Sequence, residues 1–142
     1  MILQKIDCAG DELRWKSDRG NLEIRRPAKG IILFVEVGFL DKEFAPIIQE
    51  HLDAMLKGGE QPEIFVDAYD LEGYDSEVRI GATEWLKSNR DKVRKQHMLV
   101  RSRLTKMGLS VASMALGGVL EGYADRPSFD RAYRAAVGDA LG

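Results

Sequence analysis

The residues best suited to chemistry lie in two neighbouring stretches of the chain. The first follows an apolar run, Ile64 to Ala68, and gathers Asp67, Tyr69, Tyr74, Asp75, Ser76 and Glu77. Its chemistry is recognition. Two tyrosines stand where a surface turn would ordinarily be wholly polar, and Asp75 or Ser76 offers the side-chain oxygen that caps a helix start. The second stretch supplies the bases Arg94, Lys95, Arg101, Arg103 and Lys106. These suit an anion, an acidic partner or lipid headgroups, each cation near an anionic membrane contributing about 1 kcal/mol. No aromatic residue interleaves with them, which disfavours nucleic acid as a partner.

Catalytic and metal chemistry find little support. His51 falls in a helical stripe between Ile48 and Leu52, and His97 opens an apolar strand, places where an imidazole usually serves structure. Cys8 is the single cysteine, so it forms no disulfide within the chain and reads as a reduced thiol of no special role. Cys8, His51 and His97 are too few and too far apart for structural zinc. The chain contains no nucleophile elbow, no phosphate-cradling lysine loop and no paired-histidine metalloprotease motif. The expectation is a protein that is not an enzyme and holds neither metal nor cofactor.

The elements that must position these residues belong to one domain. The chain has 142 residues, with 21 Lys+Arg against 23 Asp+Glu and a formal charge of -2, and no repeat or linker divides it. The near-neutral total hides two opposed blocks. Glu60 to Glu84 carries eight acids and one base, and Lys87 to Lys106 carries eight bases and one acid. The longest uncharged stretch, Met107 to Leu120, has 14 residues, short of the roughly 18 needed to span a bilayer. The start, MILQKIDCAGDEL, carries charges where a signal peptide needs an apolar stretch, so a cytoplasmic protein is expected.

Strand and helix patterns alternate along the chain. Strands are expected at Ile2–Ile6, at Leu22–Arg26 with a further short one at Leu13–Lys16, at Ile31–Val37, at Ile64–Ala68, at His97–Val100 and, as an edge, at Val119–Tyr123. Helices are expected from Asp41 to about Lys57, ended by Gly58-Gly59; from Asp75 or Ser76 with a stripe of Val78, Ala82, Trp85, Leu86 and Val93; from about Arg103 to Leu116; and from Ser128 onward with Phe129, Ala132, Tyr133 and Ala136. Strands separated by helices need right-handed crossovers, which makes the fold class α/β, with a mixed, mainly parallel sheet of about five or six strands and four helices.

This order, with Ile64 to Arg79 reading IFVDAYDLEGYDSEVR, resembles the STAS domain, the fold of bacterial anti-sigma-factor antagonists and of the cytosolic tails of sulphate transporters. The likeness spans roughly residues 22 to 138 and is nearest to the SpoIIAA-like branch. In that family a buried strand ending in Asp leads to a motif Asp-Ser-Ser-Gly-Leu that opens a helix. Asp67 matches the strand-end acid, and Tyr74-Asp75-Ser76-Glu77-Val78 falls on the motif. The family's phosphorylatable serine is replaced here by Glu77, and its glycine by Val78. Ser76 remains as the possible phosphorylation site, one position early, where a phosphate would gain from the helix dipole but sit between two acids.

The resemblance implies a non-enzymatic signalling module that binds a protein partner, of the regulatory-kinase or sigma/anti-sigma kind, through residues 68–79. Two alternatives rest on the residues alone. The segment 101–120, bases followed by a small-residue apolar helix, suits an anionic membrane surface or a small apolar ligand. The same helix also suits a homodimer interface.

Overall fold

The structure, a computed structural model, describes residues 4–7 and 12–142. The expected strand beginning at Ile2 lies partly, and Cys8 wholly, outside the described residues. The chain opens with an antiparallel meander, β1 (Gln4–Asp7), β2 (Glu12–Lys16), β3 (Gly20–Ala28) and β4 (Ile31–Leu40). Gly30, at φ 81°, supplies the left-handed backbone of the tight β3–β4 turn. From β4 the sheet turns parallel, through β5 (Glu63–Asp67), β7 (Lys95–Leu99) and β8 (Leu120–Tyr123). The crossovers are α1 (Phe44–Lys57), α2 (Ser76–Asn89) and α3 (Arg103–Ala115), and α4 (Arg126–Leu141) closes the chain.

One strand was not anticipated. β6 (Leu71–Tyr74) lies inside the expected loop and pairs with the far end of β4, at Gly38, Phe39 and Leu40. Its sequence, LEGY, is too short and too polar to show a strand pattern, and the pairing exists because β4 runs on past Val37. With β2 and β6 the described residues form a sheet of eight strands, in the order β1-β2-β3-β4-β5-β7-β8 with β6 on the end of β4. It is thus wider than the five or six expected, while the α/β class and the four helices stand.

Both faces of the sheet are buried, which is why Ile31 to Val37 reads as a nearly continuous apolar run. On one face Phe44, Ile48, Leu52 and Met55 of α1 and Val78, Trp85 and Leu86 of α2 pack on Leu22, Ile24, Ile32, Phe34, Ile64 and Val66. On the other, Phe129 and Ala136 of α4 pack on Ile31, Leu33, Phe65 and Leu99. Ala82, expected in the α2 stripe, is exposed. Val93 is buried, but beyond the helix, after a short 3-10 turn at Arg90–Lys92.

The starts of α1 and α4 differ from expectation, and that of α2 falls on one of the two expected residues. Asp41 does not open α1. It is 3% exposed and accepts hydrogen bonds from Ser17 Oγ at 3.0 Å and from the Arg19 guanidinium, which anchors the β2–β3 turn. The helix begins at Phe44, so Pro46 is its third residue and costs no intrahelical bond. Ser76 is the first residue of α2 and not its cap; Asp75 holds the cap position. Ser128 likewise lies inside α4, whose cap Asp125 accepts from the Ser128 amide at 2.8 Å. Ser102 caps α3 by accepting from the Leu104 and Thr105 amides.

Helix α3 lies chiefly against β8, the edge of the sheet. Leu109 is seated over Gly122, where an added Cβ would stand 3.0 Å from Leu109 Cδ1. Among its apolar residues Leu104, Met107, Val111 and Met114 point away from the sheet and are between 64% and 83% exposed.

Candidate docking site

The carboxyl ends of β4 and β5 position the residues of the first stretch, and β6 divides them into two groups. Asp67 ends β5 and is held by Arg126 at the start of α4, whose guanidinium reaches both carboxylate oxygens at 3.0 and 3.2 Å. This hydrogen bond, chiefly, raises Arg126 above the ordinary guanidinium range. Arg101 donates to Asp70 at 3.0 Å and to the Tyr69 carbonyl at 3.1 Å. Both guanidinium groups lie over the Tyr69 ring, at 4.6 Å for Arg101 and 5.7 Å for Arg126. Asp67, Tyr69, Asp70, Arg101 and Arg126 thus form one cluster of intramolecular pairs.

The second group surrounds the start of α2. The Asp75 amide donates to the Leu40 carbonyl at 2.9 Å, and its carboxylate accepts from the Lys42 amide at 2.7 Å. Asp75 therefore ties the β6 end to the segment that launches α1. Ser76 and Glu77 are exposed, with Ser76 Oγ donating to Glu77 Oε1 at 3.1 Å. Glu77 lies in the first turn of α2, where a carboxylate complements the dipole. Tyr74 on one side and Ile80 on the other are 42% and 44% exposed.

The five bases of the second stretch do not form a single patch. Lys95 pairs with Glu121 at 2.6 Å, and Arg101 with Asp70. Arg94 lines an open cleft of about 390 Å³ with Arg90, Asp91 and the Gly117-Gly118 turn. Arg103 and Lys106 are exposed on the first turn of α3. The acidic and basic blocks, adjacent in sequence, therefore pair in part across the sheet ends.

Two further groups escaped the sequence. His97, buried, hydrogen-bonds Glu63 through Nε2 at 2.7 Å and the Tyr123 hydroxyl through Nδ1 at 2.8 Å, and it stacks on Phe65 at 4.2 Å. Burial, first of all, pulls its pKa below the usual imidazole value, against the opposing pull of Glu63. Burial also pushes the Tyr123 hydroxyl up to about 12. The partners of His97 come from β5 and β8, so only the strand order could have announced them. Glu36 is buried in β4, where desolvation and then the charge of Asp67 push its carboxyl up to about 7.

Between α1 and α2 an apolar crevice lined by Ile48, Leu52, Val78 and Trp85 has room of about 10 Å³, no more than one water. Among the described residues no three His, Cys, Asp or Glu side chains group as metal ligands, and no helix is long and apolar enough to cross a membrane.

No protein-family model and no curated protein matches the chain. The solved structures include a similar one, an uncharacterised protein of the DUF3478 family from Shewanella loihica PV-4, described as having a SpoIIAA-like fold. The likeness covers 80% of this chain and 94% of that one, with a TM-score of 0.61 and 18% sequence identity. The mixed sheet, the three crossover helices and the closing α4 thus make this a SpoIIAA-like fold, as the residues around Asp67 and Ser76 led one to expect.

Proposed function

We propose that this domain is a non-enzymatic regulatory module that docks a protein partner on the surface formed by residues 68–79 and the first turns of α2. The observation that carries the reading is the exposure of Tyr74 and Ile80 on either side of the exposed Ser76 and Glu77. A fixed negative charge flanked by large, partly apolar side chains is the composition of a recognition patch, in which an aromatic anchor contributes affinity and the charge contributes selectivity. Asp67, Tyr69 and Asp75 act beneath it. Their bonds to Arg126, Arg101 and Lys42 fix the loop in one shape, so that little ordering entropy is lost on binding.

In this reading Glu77 provides permanently the charge that a phosphorylatable relative gains by modification, and the module is constitutively in one state. The expected outcome of co-purification from cells is a partner retained by the wild type and by Ser76→Ala, and lost with Glu77→Lys or Tyr74→Ala. Unchanged partners in all four proteins would remove this surface from consideration. A stoichiometric phosphate on Ser76 in the intact-mass spectrum would replace the constitutive state with a switched one.

A further inference from the structure

Helix α3 exposes Leu104, Met107, Val111 and Met114 at successive spacings of three, four and three residues. This is the 3.5-residue repeat by which one helix seats along another, and it is kept here on the face turned away from the sheet. Gly108 lies within the stripe, with open space where its Cβ would be, so a facing helix has room to approach. Charge selects the direction. The helix contains no acid, and its two bases, Arg103 and Lys106, both lie in the first turn, where its own dipole opposes them. Beyond Lys106 it is uncharged to its end. A helix lying in a bilayer interface carries bases along its polar face; here they are confined to one end, which leaves the rest of α3 without the contacts such a surface uses.

We infer that α3 is the interface for a second copy of this chain, the two α3 helices running antiparallel about a two-fold axis near Leu109. Each stripe then covers the other, Met107 facing Val111 and Leu104 facing Met114. Arg103 of each copy comes beside the carbonyl end of the other helix, which turns an unfavourable dipole contact into a favourable one. The opposed dipoles of the two helices also attract. This surface is separate from the α2 start, so its failure leaves the partner-binding reading untouched.

Sedimentation over a wide concentration range tests the interface. The wild-type mass rises from the monomer value of 15.9 kDa toward twice that figure, whereas Met107→Glu with Val111→Glu weakens association by about 100-fold or more and leaves the melting curve of dilute protein unchanged. Cross-linking in a Cys8→Ser chain tests the direction. A Met107→Cys chain mixed with a Val111→Cys chain gives a mixed disulfide, while Leu104→Cys alone gives none. A monomeric mass at every concentration overturns the inference. So does self-cross-linking of the Leu104→Cys chain, the mark of a parallel pair. Binding of the monomer to vesicles of anionic phospholipid, abolished by the same glutamates, assigns the stripe to a membrane and likewise overturns it.

Discussion

Helices α1 and α3 each follow a parallel strand, span 14 and 13 residues and carry apolar side chains at helical spacing, yet one turns its stripe inward and the other outward. The strands beneath them account for the difference. α1 crosses the centre of the sheet, over β3, β4 and β5, where Ile24, Phe34 and Val66 offer it a continuous apolar floor. α3 lies chiefly over the edge strand β8, whose short LEGY sequence sets Gly122, without a side chain, beneath the helix. Leu109 and Leu116 are enough to hold it there. Amphipathicity therefore announces that a helix has something to cover, and the neighbouring strands decide whether this chain supplies the cover.

The largest test of this contrast is truncation. Leu52→Ala in α1 should lower stability by about 2–5 kcal/mol, whereas Val111→Ala or Met114→Ala in α3 should stay within about 0.5 kcal/mol, read from urea unfolding of dilute monomeric protein. Equal losses would show that α3 is covered within its own chain. The pH profile offers a second, somewhat smaller effect. Alternation along β4 puts Glu36 on the α1 side with Ile32 and Phe34, and its carboxyl is raised from 4.5 to about 7. Its stabilisation is present below the unfolded value and is lost as pH rises through the folded one, a fall on the order of 3 kcal/mol that Glu36→Gln should abolish. His97 on the α4 side has the opposite sign. Its lowered pKa means that stability declines as pH falls below the ordinary imidazole value, and His97→Gln should flatten that acid limb. Because the two limbs oppose each other over the same range, the variants decide the matter, and a profile that neither Glu36→Gln nor His97→Gln alters would refute both assignments.

Glycines sharpen the comparison at the smallest scale. Gly38 has φ 75°, and a Cβ there would meet the Arg19 carbonyl oxygen at 2.5 Å, so Gly38→Ala should cost about 1–3 kcal/mol. Gly108 in α3 has regular helical backbone and open space, and Gly108→Ala should raise stability by about 0.5–1 kcal/mol. Thermal melts of the two variants should move in opposite directions. A destabilised Gly108→Ala protein would place a neighbour against α3 that the fold does not contain.

What could be read from the sequence was whatever local periodicity encodes. The runs Ile31–Val37 and Ile64–Ala68, the α1 stripe and the Gly58-Gly59 stop all correspond to elements at nearly the expected bounds. Helix starts were misread at Asp41 and Ser128, and of the two candidates for α2 Asp75 holds the cap position, because a hydroxyl or carboxylate near a boundary has several possible partners and the tertiary fold chooses among them. β6 was missed for a related reason: its pairing depends on the length of β4 and on no pattern of its own. In the candidate site the type and neighbourhood of Asp67, Tyr74, Ser76 and Glu77 were legible. The Arg126 and Arg101 pairings that separate them into a structural and an exposed group span 59 and 31 residues of chain, beyond the reach of any local motif.

The position of β4 has a consequence for the order in which the molecule assembles. Every pairing before it is antiparallel and reached through a short connection, and every pairing after it waits for a crossover helix. A chain emerging from the ribosome can therefore close the β2–β3–β4 meander while the parallel half is still unmade, since nearby contacts form sooner than distant ones. Until α1 follows, that meander bares Leu22, Ile24, Ile32 and Phe34 on one face, and the interval before Phe44 and Ile48 arrive is when the nascent chain is most exposed to aggregation.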